Sequence, residues 1–147
     1  MWRVVVLAAA GCAVSHGARI VEMSVGCLGR CEQYSVAVYG DGFVEYRGYT
    51  RVLPGRRTAQ LDRAKLAELD ALFADFATLA ASEMQCEATD LGELYVIEYR
   101  GQRIEFFSLC NRVPLAALEL AGGVRATLAL DRWFGTDKER AHLREAR

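Results

Sequence analysis

Tyr95-Val96-Ile97-Glu98-Tyr99-Arg100-Gly101-Gln102-Arg103-Ile104-Glu105-Phe106 is the stretch that decides the fold. Apolar and polar residues alternate on both sides of Arg100-Gly101, the pattern of two half-buried strands joined by a tight turn. With Arg100-Gly101 between Tyr99 and Gln102, Ile97 faces Ile104 and Tyr95 faces Phe106 on one side. The other side sets Glu98 opposite Arg103, a favourable charge pair. A slip of one residue would move every apolar side chain to the wrong face, so this register is strongly specified.

Upstream, Arg19 to Val25 also alternates, with Val21, Met23 and Val25 on one face. Tyr34, Val36 and Val38 follow, and Gly40-Asp41-Gly42 turns the chain. A two-residue Asp41-Gly42 loop would pair Val38 with Glu45. A three-residue loop with Gly42 left-handed pairs Val38 with Val44 and Val36 with Tyr46, which keeps one face apolar and is preferred. Tyr49 to Leu53 reads as a further strand before Pro54-Gly55. Asp62 is placed to cap a helix, whose apolar face is Leu66, Leu69, Phe73 and Phe76. Met84 to Gly92 reads as an irregular acidic loop. Pro114 suits a first helical position, with Asn111 upstream as cap. Leu115, Leu118 and Leu120 start that helix, Gly122-Gly123 should break it, and Val124, Leu128 and Trp133 resume packing.

These elements predict an α+β fold: an antiparallel sheet of about five or six strands, built from hairpins, with two or three helices on one face. The expected organisation is a leader and tether over 1–18, a single domain over 19–135 and a charged C-terminal tail over 136–147 that reads as a frayed helix. With 147 residues, 52% hydrophobic and 25% charged, the chain suits one globular domain. Eighteen basic residues against nineteen acidic leave no field to hold nucleic acid.

The two histidines, His16 and His142, both lie outside the core pattern. That argues against a Ser-His-Asp triad, a Cys-His pair or a His-ligated metal. The only lysines are Lys65 and Lys138, so carboxylate chemistry, cysteine chemistry or no chemistry remains. Glu83, Glu87, Asp90 and Glu93 lack the alternating pattern of a calcium loop. No catalytic residue, metal site or cofactor is assigned. Tyr39, Tyr49, Arg51, Arg56 and Arg57 form the candidate binding surface, because aromatic and arginine side chains anchor interfaces.

The N-terminus, Met1-Trp2-Arg3 followed by Val4 to Ala10, has the pattern of a secretory leader. Ala9-Ala10-Gly11-Cys12 resembles the lipobox of bacterial lipoproteins, which implies cleavage before Cys12 and its lipidation. Ala13 after that cysteine fits the outer-membrane destination such lipoproteins share. Ordinary cleavage near Ala18, giving a soluble periplasmic or secreted protein, is the alternative.

Setting Cys12 aside leaves four of the five cysteines, an even number that reads as two disulfides in an oxidising compartment. Cys27 and Cys31 would stand about 13 Å apart in an extended strand, beyond the reach of a bridge. Gly26 and Gly29 let the segment curl, so Cys27–Cys31 and Cys86–Cys110 are the favoured pairs. A four-cysteine zinc site is the rival, but neither pair has the C-x2-C spacing.

From about Met23 to Trp133 the chain resembles a bacterial family described as domain of unknown function 6438. Members read G-C-F-G-x-C-P-x-Y, a strand, D-G, then V-x-Y. Here the matching residues are Gly26-Cys27-Leu28-Gly29-Arg30-Cys31-Glu32-Gln33-Tyr34 and Asp41-Gly42-Phe43-Val44-Glu45-Tyr46, with Glu32 in place of the proline. Cys86, Thr89-Asp90, Cys110, Pro114 and Trp133 match later features, although the gap from Cys110 to Pro114 is slightly long. The resemblance implies an exported α+β domain and transfers no activity.

Together these readings lead to the expectation of a non-enzymatic, lipid-anchored binding or structural module. It would sit in the outer membrane facing the periplasm, its partners the membrane (through the lipid) and an envelope protein or ligand. The alternative is an envelope thiol-disulfide oxidoreductase using Cys27 and Cys31.

Overall fold

The computed structural model describes residues 14–84 and 92–145, with side chains through residue 141. Cys12, Cys86 and the acidic stretch 85–91 lie outside the described residues.

Six strands form one antiparallel sheet in the order β4-β3-β2-β1-β5-β6. They are β1 (Arg19–Gly26), β2 (Gln33–Tyr39), β3 (Phe43–Thr50), β4 (Gly55–Gln60), β5 (Leu94–Tyr99) and β6 (Gln102–Phe107). The β5–β6 hairpin has the expected register: Ile97 opposite Ile104, Tyr95 opposite Phe106, Glu98 opposite Arg103. The β2–β3 hairpin pairs Val38 with Val44 and Val36 with Tyr46, and Gly42 has φ +85°. The three-residue turn therefore prevails, because it alone keeps both strands' apolar residues on one face.

Among the described residues four helices accompany the sheet: α1 (Arg63–Ala71), α2 (Phe76–Ala80), α3 (Leu115–Thr127) and α4 (Asp137–Glu145). The Asp62 carboxylate accepts from the Lys65 N–H at 2.8 Å, capping α1 as expected. The apolar stripe after it bends between α1 and α2 without leaving the core. Leu69, Phe73 and Phe76 are buried against the strand residues Val21, Met23, Val36, Ile97 and Phe106, with Ala117, Leu120 and Val124 from α3. Burying a side chain of this size contributes about 1.5–3 kcal/mol. The opposite face of the sheet, the open face, carries Glu22, Ser24, Ser35, Ala37, Glu45, Arg47, Val96 and Glu98, none of them buried.

Three local expectations are corrected. First, Tyr49 to Leu53 is not a separate strand. β3 runs to Thr50, the chain turns at Arg51 (φ +57°), and the fourth strand follows Pro54. β4 has no apolar alternation because only Ala59 of its residues packs on the core.

Second, Asn111 does not cap α3. Pro114 occupies the cap position with extended ψ (139°), no side chain bonds the helix start, and Leu115 is exposed.

Third, Gly122-Gly123 does not break α3. A Cβ on Gly123 would stand 3.2 Å from Leu72 Cδ1, so the small residue lets α3 approach α1. The break comes at Ala129 (φ +49°), before a 3-10 turn over Leu130–Trp133.

The charged tail is helical over α4, as its reading as a frayed helix expects. At α4 the Glu139 carboxylate accepts from the Thr136 N–H (2.7 Å), and the Glu139 N–H donates to Thr136 Oγ1 (3.3 Å), a reciprocal capping box.

Candidate functional site

The strands have two ends of different character. At one end lie the β2–β3 and β5–β6 turns and the tether 14–18. Along the eight residues of β1, about 25 Å away at 3.3 Å per residue, lie the β1–β2 and β3–β4 loops and the start of α3.

At this far end Cys27 and Cys31 are joined by a disulfide, with Cα atoms 6.1 Å apart. The loop is shaped by the Gly29 N–H, which points at Cys27 Sγ (3.4 Å), and by the Gln33 amide, which donates to the Cys27 carbonyl (3.3 Å). Leu28 stands at its tip, 91% exposed. Leu109 and Leu115, 73% and 68% exposed, lie at the same end of the fold. Cys110, 8% exposed, is itself disulfide-bonded; its expected partner, Cys86, lies outside the described residues.

Glu32 ties this loop to the helices. Its carboxylate accepts from Arg140 of α4 at 2.9 Å and from Arg125 of α3 at 3.4 Å. Arg125 also donates to Asp131 at 2.6 Å and lies over the Phe134 ring at 4.5 Å. Burial opposes the Arg125 charge, but Asp131 and Glu32 outweigh it and its pKa rises. Beneath sit three tyrosines. Burial raises the pKa of Tyr34 and Tyr46, and that of Tyr95 is pushed up to about 12. The Tyr46 hydroxyl and Arg140 Nε are buried without a hydrogen-bond partner among the described residues.

The sequence-derived surface residues do not form one patch. Tyr39 stands at the tether end, 5.9 Å from the rings of His16 and Phe43. Tyr49 is exposed on the open face, its hydroxyl 3.2 Å from Ser35 Oγ. Arg51 occupies the left-handed turn position after β3. Arg56 is committed to Glu45 (2.6 Å), which also takes Arg47 (3.3 Å). These arginines, Arg56 first, hold the Glu45 carboxyl below its usual range. Arg57 alternates to the other face and donates to the Pro54 carbonyl at 3.1 Å. Tyr39, Tyr49 and Arg56 alternate onto the open face, Tyr39 at its tether end; Arg51 and Arg57 lie elsewhere.

Two arrangements escape sequence reasoning. Glu32 is separated from Arg125 by 93 residues and from Arg140 by 108, so no local pattern announces the contact. At the tether, His16 stacks on Phe43 with centroids 3.6 Å apart, and its Nδ1 lies 2.9 Å from Asp41 Oδ2. The Phe43 N–H, then His16, hold the Asp41 carboxyl below its usual range. Phe43 and Tyr39 alternate onto the open face, so His16 of the tether lies on that side.

Among the described residues no group of three or more His, Cys, Asp or Glu side chains could hold a metal ion. Among them, too, no helix is long and apolar enough to cross a membrane. A comparison with curated proteins finds no match. The family model described as Domain of unknown function (DUF6438) matches residues 19–109, from the first residue of β1 to just beyond β6. That is more than half of the chain, and it includes the Gly26 to Tyr34 motif, so this protein belongs to the DUF6438 family.

Proposed function

We infer that the protein is a non-enzymatic binding module of the cell envelope, held to the membrane by lipid on Cys12, which docks a partner at its disulfide end. The observation that carries this reading is the exposure of Leu28, Leu109 and Leu115 around one end of the fold, opposite the tether. Single exposed leucines are ordinary, but three at one end, one of them on a covalently closed loop, support a docking surface. Arg30, Arg51 and Arg112 at the same end form no ion pair with any described residue, which leaves their charge for a partner.

Site-specific photo-crosslinking in intact cells tests the docking surface. A probe at position 28 is expected to give a defined adduct that is lost in Leu109→Asp, while a probe at Lys65 gives none. Equal labelling from both positions would reject the surface. For the anchor, Cys12→Ser is expected to move the protein from membranes to the soluble fraction. An unmodified mass for wild-type protein would reject lipidation.

One observation favours a second reading, a thiol-disulfide oxidoreductase using Cys27 and Cys31. The Gly29 N–H aimed at Cys27 Sγ would stabilise a thiolate there. Glu32, next to Cys31, works against it by adding negative charge. Ready exchange with a mild dithiol supports the redox reading, and resistance supports the structural one.

A further inference from the structure

β6 is one of the two edge strands, and the pairing of its backbone can be followed residue by residue. The Ser108 N–H donates to the Glu93 carbonyl at 2.9 Å, which makes 93 and 108 a hydrogen-bonded pair. Such pairs alternate along an antiparallel ladder, so Gln102, Ile104 and Phe106 turn their backbone groups toward β5. Arg103, Glu105 and Phe107 turn theirs outward. The Phe107 carbonyl is taken by the Cys110 N–H at 3.2 Å. Arg103 and Glu105 therefore present the outward donors and acceptors of the strand, and both side chains are exposed on the open face.

We propose that this edge is a two-fold interface on which β6 of a second copy of the chain pairs antiparallel, making one continuous twelve-stranded sheet. The charges select one register. Placing residue 103 opposite 103 sets two arginines together, and placing 105 opposite 105 sets two glutamates together. The register centred on Ile104 sets Arg103 opposite Glu105 twice, by symmetry. It is also a register in which outward backbone groups meet, so 103 and 105 exchange hydrogen bonds across the seam. Opposite charges facing across a ladder favour pairing and like charges oppose it. An isologous contact needs a surface complementary to itself, and the Arg103-Ile104-Glu105 triplet has that property.

The other edge lacks it. β4 carries Arg56 and Arg57 and no acidic residue, so pairing two copies of β4 would gather four cations with no anion on either strand. The two-fold axis of the β6 pair is normal to the sheet, so both copies turn their open faces the same way. His16 of each tether then lies on the same side of the joined sheet.

Charge reversal tests the interface on the full chain in detergent by sedimentation. The wild-type chain is expected to associate reversibly with concentration, from 16.3 kDa to twice that mass. Arg103→Glu and Glu105→Arg each create like-charge pairs across the seam and are expected to remain monomeric. An equimolar mixture of the two variants restores Glu–Arg opposition on both sides and is expected to associate. Association through the apolar leader would be indifferent to these changes. A wild-type chain that stays monomeric, single variants that associate as wild type does, or folded variants that fail to associate when mixed would each overturn the proposal. So would finding β6 paired with a strand of another protein while wild type stays monomeric. Should either variant fail to fold, amide exchange on wild type decides: Arg103 and Glu105 must gain protection with concentration, and unchanged exchange overturns the interface.

Discussion

At one edge of the sheet β4 carries Arg56 and Arg57 side by side after Pro54 and Gly55; at the other, β6 carries Arg103 and Glu105 on one face, 3.0 Å apart. β4 has Arg56 drawn to Glu45 on the neighbouring strand and only Ala59 in the core. β6 has Ile104 and Phe106 buried at 3% and 1% exposure. An edge strand is a template for pairing, and proteins guard it with charge and proline. β4 is guarded in that way. On β6 the charges cancel along the strand, so they select a partner instead of refusing every partner. β6 is thus a packed strand with an orderly free edge, and β4 is a thin cover over β3.

The largest difference should appear on truncation. Ile104→Ala is expected to cost about 2–5 kcal/mol in denaturant unfolding, the range for emptying a packed core site. Thr58→Ala on β4 should change stability by no more than about 0.5 kcal/mol. Similar losses from the two would erase the contrast.

The turn into β4 is a different matter from the strand. A Cβ on Gly48 would collide with the Leu53 carbonyl and reach 3.0 Å from Val52. The 52–53 segment is pinned in turn by the Leu53 N–H to the Phe134 carbonyl at 3.1 Å. Gly48→Ala is expected to cost about 1–3 kcal/mol, as overpacking does. A neutral result would mean that the β4 corner yields freely.

Glu32→Gln removes the charge that holds α3 and α4 to the disulfide loop. The groups involved are partly exposed, so the expected cost is about 1 kcal/mol. Amide exchange should rise in α4 and remain unchanged in β5 and β6. Faster exchange throughout the sheet would contradict a local clamp.

The smallest effect is pH dependence. The Tyr99 hydroxyl (2.6 Å) and the Arg100 guanidinium (3.1 Å) hold the Asp70 carboxyl below its usual range. The folded pKa is lower than the unfolded one, so this stability is complete above the unfolded value, about 3.9. It is lost as pH falls through the lowered folded value. Asp70→Asn should flatten the unfolding midpoint against pH in that acid window, and an unaltered slope would place the dependence elsewhere, with Glu45 behind β4 the next candidate.

What was legible in the sequence follows the same division. The β5–β6 and β2–β3 registers were readable because alternation and turn chemistry agree at Arg100-Gly101 and at Gly42. β4 was misplaced because a strand that buries little carries no hydrophobic period. The continuous α3 was missed because Gly123 is explained by Leu72, 51 residues away in sequence and visible only in the fold. The Cys27–Cys31 bridge was accessible from local glycines, whereas Glu32, its neighbour, finds its partners on helices at the other end of the chain. The proposed surface residues scattered because tyrosine and arginine mark both sheet packing and interfaces, and alternation along β4 sends Arg56 and Arg57 to opposite faces.

Amide hydrogen exchange at the two edges, measured on one sample at two protein concentrations, bears most directly on the asymmetry. The Leu61 N–H to Gly42 carbonyl bond at 2.9 Å sets the β4 alternation, so Arg56 and Thr58 are its outward amides, as Arg103 and Glu105 are those of β6. Protection that grows with concentration at Arg103 and Glu105, with Arg56 and Thr58 exchanging fast at both concentrations, is the expected result. Equal, concentration-independent exchange at all four would contradict it.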